Sequence, residues 1–110
     1  MKILCVEHQS TETAILTYML ESIGYEIVIA SNGEQAIELF NNLVIDGVLL
    51  EQNLSDATGS AIRARLKAIR PEIPILLFKG SGMQTTSLMR FFDAYLRHRA
   101  AFGGDLLPDM

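Results

Sequence analysis

A single cysteine in 110 residues, Cys5, has no partner for an intrachain disulfide, so a disulfide-built secreted scaffold is excluded. Proline and glycine are sparse, at 3 and 8 residues, and the chain is neither collagen-like nor a low-complexity linker. No apolar run approaches the roughly 20 residues of a membrane span. Met1-Lys2 passes directly into a short apolar run without the regions of a secretory leader. A cytoplasmic protein with no membrane partner is the expectation. Basic residues are nearly missing from the first half. Residues 1–62 hold nine acids (Glu7, Glu12, Glu21, Glu26, Glu34, Glu38, Asp46, Glu51, Asp56) against Lys2 alone, a balance of −8.

What is present is ordinary globular usage, 49% hydrophobic and 20% charged, and the length fits one domain over residues 1–110. The missing bases return in residues 63–99, where Arg63, Arg65, Lys67, Arg70, Lys79, Arg90, Arg97 and Arg99 stand against Glu72 and Asp93. A nucleic-acid surface is one reading of that asymmetry, and two surfaces of a single fold is the other. Core residues interrupt the bases throughout and no compact basic run forms, so nucleic acid is not an expected partner.

Ile3 to Val6 is a continuously apolar run, the pattern of a strand covered on both faces. Ser10 or Thr11 then caps a helix whose apolar positions are Ala14, Ile15, Tyr18, Met19 and Ile23, and Gly24 stops it. Tyr25 to Ala30 is a β-branched strand, and Ser31-Asn32-Gly33 turns into a helix marked by Ala36, Ile37, Leu39 and Phe40. Val48 to Leu50 is a third strand. A loop over residues 53–59 leads to a helix through Ile62, Leu66 and Ile69 that stops before Pro71. Ile73 to Phe78 is a fourth strand. Residues 87–102 carry Leu88, Phe91, Phe92, Tyr95, Leu96 and Phe102 on one helical face, with Arg90, Asp93 and Arg97 opposite. Strands alternating with helices imply a parallel sheet wrapped on both faces. A C-terminal amphipathic helix replaces any fifth strand in this reading.

In such a sheet ligands gather at the carboxyl ends of the strands, which here carry Glu7 and His8, Glu51, and Lys79. Several separated stretches agree in order and spacing with one family: Lys2 to His8, Gly24 to Ile27, Ala30 to Ala36, Val48 to Glu51 with Asp56 and Gly59, and Pro74 to Leu77. The sequence resembles the receiver domain of two-component response regulators, well over residues 1–80 and poorly over 81–110. The resemblance implies a flavodoxin-like, doubly wound fold with strand order 2-1-3-4.

It also implies a phosphorylation site, and the chain departs from the family at most of its positions. Glu7 keeps one member of the magnesium-binding acidic pair and His8 replaces the other. Glu51 stands at the phosphoacceptor position and Lys79 at the hydroxyl position of the fourth strand. Tyr95 is the candidate switch aromatic; His98 would then fall at the fifth-strand lysine, which the helical reading of this segment opposes. Imidazole is a poor magnesium ligand, and a glutamate overshoots the in-line position of an aspartate. Magnesium binding is therefore expected to be weak or absent, with no cofactor and no catalytic role.

Lys79 either pairs with Glu51 as a fixed cation or is solvated beside it. Glu7, His8 and Glu51 as a transition-metal site, and Gly80-Ser81-Gly82 as a phosphate loop, are weak patterns that do not establish a site. Cys5 reads as a small core residue. The expected function is that of a phosphorylation-independent pseudo-receiver signalling by contact with a protein partner. Two alternatives stay open: a receiver switched by a metal or phosphorylated small molecule at the strand ends, and a nucleic-acid module. Phe91, Phe92 and Tyr95 read as core at helical spacing, with a partner-facing patch as the alternative. A homodimer is expected through an uncovered fourth-strand edge and the face containing Phe91, Phe92, Tyr95 and Phe102, the alternative being a monomer whose helix folds back over its own edge.

Overall fold

The structure, a computed structural model, describes residues 1–7, 11–78, 90, 92–94, 96 and 97, with the backbone alone at 11–13. The chain alternates β1 (Lys2–Val6), α1 (Thr11–Ser22), β2 (Glu26–Ala30), α2 (Gly33–Asn42), β3 (Gly47–Glu51), α3 (Gly59–Ile69) and β4 (Ile75–Phe78). All the strand pairings are parallel, in the order β2-β1-β3-β4, as the sequence implies. Residues 90, 92–94, 96 and 97 are helical, in agreement with the helix read over 87–102. A fifth strand reaching Tyr95 and His98 is therefore not formed at the described residues 92–94, 96 and 97; residues 79–89 and 98–110 lie outside the described residues.

The ends of the helices follow local chemistry. Asn32 caps α2 by accepting a hydrogen bond from the Gln35 amide at 2.8 Å, and Thr58 caps α3 through the Ala61 amide at 3.1 Å. After α1 the chain turns through Gly24 at φ +105°, a conformation that residues with a Cβ rarely adopt.

Alternate strand residues build two cores. Leu4, Val6, Val48, Leu50, Ile75 and Leu77 face α2 and α3, where they meet Phe40, Ile62 and Leu66. Ile3, Cys5, Leu49, Leu76 and Phe78 face the other side, against Leu16 and Leu20 of α1 and Phe92 and Leu96 of the C-terminal helix. Cys5 is fully buried, as expected, and burial followed by the Glu7 charge pushes its thiol pKa up, which leaves it unreactive.

Two expectations are corrected. The buried positions of α1 are Leu16 and Leu20; Ala14, Ile15 and Tyr18 are exposed, Tyr18 at 72%, as is Ile23 just beyond the helix. Core contact fell to the two leucines, whose unbranched stems reach the sheet from the adjacent helical face. Phe92, read as core at helical spacing with an interface as the alternative, is 0% exposed and belongs to the core. Its ring lies over the start of β3, where Gly47 lacks the Cβ that would approach it to 3.4 Å. β4 is likewise buried on both faces, so the apolar edge argued for a dimer does not present its side chains to solvent. Phe91, Tyr95 and Phe102 lie outside the residues whose side chains are described.

A polar contact ties the same helix to the sheet. The Tyr25 hydroxyl donates to Asp93 Oδ1 at 2.5 Å, and Arg97 Nε donates to Asp93 Oδ2 at 2.9 Å. Burial alone would raise the Asp93 carboxyl, but these bonds hold it below its ordinary pKa. Phe92→Ala is expected to cost about 3–5 kcal/mol in chemical denaturation, as for a fully buried ring. A loss under about 1 kcal/mol would place the ring on the surface instead.

Candidate functional site

The carboxyl ends of β1 and β3 lie side by side in the centre of the sheet, because Val6 pairs with Leu50. Glu7 is the first residue past β1 and Glu51 the last of β3, so the two buried runs deliver two carboxylates to one place. Glu7 is 1% exposed. Burial first, and the Glu51 charge second, push its pKa up to about 7. Glu51 is half-buried at the rim.

The loop after Glu51 is held from two sides. Gly59 comes so close beneath the end of β3 that an added Cβ would collide with the Glu51 carbonyl oxygen, the Gln52 Cα and Leu77. Its amide donates to the Gln52 carbonyl at 2.7 Å, while the Gln52 amide donates to the Phe78 carbonyl at 2.8 Å. The Gln52 side chain accepts from both the amide and hydroxyl of Ser60 at 3.0 Å. Further along, Asp56 reaches across to the start of α2 and accepts from the amides of Gly33 at 2.8 Å and Glu34 at 3.0 Å. Those two bonds hold its carboxyl below its ordinary pKa. The sequence reading took Asp56 only as part of a family stretch; its role as a second cap on α2 depends on a contact 23 residues away that no local pattern announces.

Of the site residues expected from sequence, the structure brings Glu7 and Glu51 together. His8, Lys79 and Tyr95 lie outside the residues whose side chains are described, so the Glu51–Lys79 pair does too. Among the described residues no group of three or more His, Cys, Asp or Glu side chains could hold a metal ion. A magnesium ion takes near-octahedral oxygen ligation, and the two glutamates, one of them half-protonated near neutrality, do not supply such a set.

At least four of the eight bases in residues 63–99 have partners within the fold. Lys67 Nζ donates to the Ile73 carbonyl at 2.7 Å, and Arg70 donates to the Ile45 carbonyl and lies 5.2 Å above the Phe40 ring. Arg65 sits 3.7 Å from Glu34, and Arg97 binds Asp93. No helix of the described residues is long and apolar enough to cross a membrane.

The profile of the response regulator receiver domain matches residues 3–94. Over 86 residues, 78% of this chain, the sequence is 33% identical to the transcriptional regulatory protein ZraR of Escherichia coli. It is 28% identical over 91 residues, 83% of the chain, to the cell cycle transcriptional regulator CtrA of Caulobacter vibrioides. The matches span 20% of ZraR and 39% of CtrA, so this chain corresponds to a minor part of each. Among solved structures, a CheY-like receiver domain from Methanospirillum hungatei superposes with a TM-score of 0.83 at 17% identity, covering 91% of this chain and 96% of that one. TrrA of Thermotoga maritima, solved in complex with the histidine kinase ThkA, superposes with a TM-score of 0.67 at 24% identity, covering 80% of this chain and 78% of that one.

The raised pKa of Glu7 has a stability consequence. Between the ordinary value of 4.5 and about 7 the folded state holds a proton that the unfolded state has released. Stability is therefore greatest on the acid side of this window and falls as pH rises through 7. Denaturation at pH 5 and pH 8 is expected to differ by about 2 kcal/mol from this group, and Glu7→Gln to remove most of that difference. An unchanged pH dependence in the variant would show that Glu7 is ionised throughout. The match over residues 3–94, the β2-β1-β3-β4 sheet and the paired strand-end carboxylates agree: the chain belongs to the response regulator receiver domain family of two-component signal transduction.

Proposed function

We propose that this receiver domain signals without being phosphorylated and works through contact with a protein partner, with no catalytic activity of its own. The observation that carries the reading is the glutamate at the end of β3 beside the buried Glu7. Phosphoryl transfer depends on in-line positioning and on charge neutralisation by a metal. Glu51 extends one methylene beyond an aspartate from a strand end that Gly59 and Gln52 fix in place. A proton on Glu7 near neutrality competes with any divalent cation for the same oxygens.

Contact as the working mode is supported by α1, whose outward face carries Ile15 and Tyr18, with Ile23 beyond its end. Apolar residues grouped on one helix in this way fit a partner surface better than isolated exposures do. A histidine kinase is the class of partner we propose, as ThkA is for TrrA, in a cytoplasmic setting. The nucleic-acid alternative loses support because Lys67, Arg70, Arg65 and Arg97 already have intramolecular partners. A ligand-switched pocket has one observation in its favour, the repulsion between Glu7 and Glu51, which a cation would relieve. Melting temperatures that rise with magnesium or zinc would favour it over the proposal.

Acetyl phosphate with magnesium is expected to leave the intact mass of the protein unchanged, while a receiver with aspartate at the phosphoacceptor position is labelled alongside. A stable gain of one phosphoryl group mapping to Glu51 would overturn the reading.

A further inference from the structure

Of the two sheet edges among the described residues, β4 is buried on both faces, but β2 is not. Glu26 and Ile29 of β2 are exposed, Ile29 at 41%, and Ile27 and Val28 are half-buried. The register shows which backbone groups face outward. The Glu26 amide donates to the Met1 carbonyl and the Ala30 carbonyl accepts from the Glu7 amide, so Glu26, Val28 and Ala30 direct their backbone groups at β1. By the alternation of a strand, Ile27 and Ile29 direct theirs away from the sheet, and among the described residues β2 pairs on one side only.

Soluble proteins guard such an edge with prolines, bulges or charges along the strand. The sequence Glu26-Ile27-Val28-Ile29-Ala30 has none of these beyond Glu26 at its start, where Lys2 approaches to 3.9 Å.

We propose that β2 is the contact surface for a second copy of this chain, pairing antiparallel across a two-fold axis at Val28. An isologous contact needs a strand that complements itself, and this register provides it. Ile27 then stands opposite Ile29 of the second copy, which joins the outward-facing amides and carbonyls of both residues. The two isoleucine side chains, on the α1 face of the sheet, meet as a β-branched cross-strand pair. Glu26 faces Ala30 of the second copy, so no like charges oppose each other. Sliding the strands to bring Glu26 opposite Glu26 of the second copy would create that repulsion and also take Val28 off the axis. The result is one continuous sheet of eight strands, four from each copy. This surface lies at the opposite edge from the one expected on sequence grounds and does not depend on the state of Glu51.

Light scattering and sedimentation across the micromolar range test it. The wild-type mass is expected to rise toward twice the 12.2 kDa of one chain. Ile29→Lys, which replaces the cross-strand isoleucine pair on the α1 face with a charge and leaves the bonds to β1 in place, is expected to weaken association by roughly tenfold or more, equivalent to about 1.4 kcal/mol. Its circular dichroism and melting curve in dilute solution should match those of the wild type. Amide exchange offers a readout that needs no variant: protection at Ile27 and Ile29 should grow with wild-type concentration, while Val28 is protected throughout. A wild-type chain that stays monomeric would overturn the proposal and leave the edge to an extended strand of another protein. A dimer that Ile29→Lys does not weaken, or one without concentration-dependent protection at Ile27 and Ile29, would overturn it equally.

Discussion

The pairing of β1 with β3 in the middle of a sheet buried on both faces constrains everything else in this domain. Ile3 to Val6 and Val48 to Leu50 are fully buried, so the polar side chains of these strands stand only at their ends. Polar chemistry is forced to the strand ends, and parallel pairing brings those of β1 and β3 to the same end. Glu7 and Glu51 are neighbours because two apolar runs in register stop at the same level. Their proximity has a cost: Glu7, deep in the fold and near a second acid, holds its proton to about pH 7.

The second constraint is how the chain leaves β3. It turns directly beneath the strand end, and only a glycine at position 59 fits under the Glu51 carbonyl. The turn is secured to β4 through Gln52, to α3 through Ser60 and to α2 through Asp56. These three attachments, between Gln52 and Ser60, hold the loop through bonds within the fold, and they fix the strand end from which the Glu51 side chain extends.

The sheet was legible from sequence because its signals are local. Each strand is a short apolar run ended by a polar residue, each connecting helix has a cap or a stop, and the alternation of the two leaves few topologies. The strand-end residues were legible for the same reason, since Glu7 and Glu51 are the first acids after their runs. The face of α1 was misjudged for a reason of degeneracy. Ala14, Ile15, Tyr18, Met19 and Ile23 form an apolar stripe as regular as the one containing Leu16 and Leu20, and periodicity cannot say which stripe the sheet receives. Phe92 posed a similar ambiguity, because an aromatic on an amphipathic helix serves a core or an interface equally well. Gly47, beside its ring, belongs to a different element. Asp56 could not be read at all, because its partners are the backbone amides of a distant helix and carry no side-chain signature.

The corrected face of α1 changes how the surface of the domain is read. Had the aliphatic stripe of Ile15, Tyr18 and Ile23 been core, the domain would present mostly charge to its surroundings. Instead α1 keeps its two leucines for the sheet and shows the larger stripe to solvent, and the strand it packs on, β2, is the sheet edge with exposed apolar residues. Among the described residues, Ile15, Tyr18, Ile23 and Ile29 are thus exposed apolar side chains within residues 1–37, which carry five of the 13 acids and a single base, while Val44 and Ile69 are exposed further along. In the basic second half Lys67 and Arg70 donate to carbonyls of the fold, and Arg97 pairs with Asp93 at the surface. A surface of apolar residues flanked by acids selects among partners by charge as well as by shape, since a like-charged partner is repelled before apolar contact can form. The charge asymmetry of the sequence thus coincides, among the described residues, with an acidic first half that exposes apolar side chains and with a second half in which Arg65, Lys67, Arg70 and Arg97 are bonded or paired within the fold.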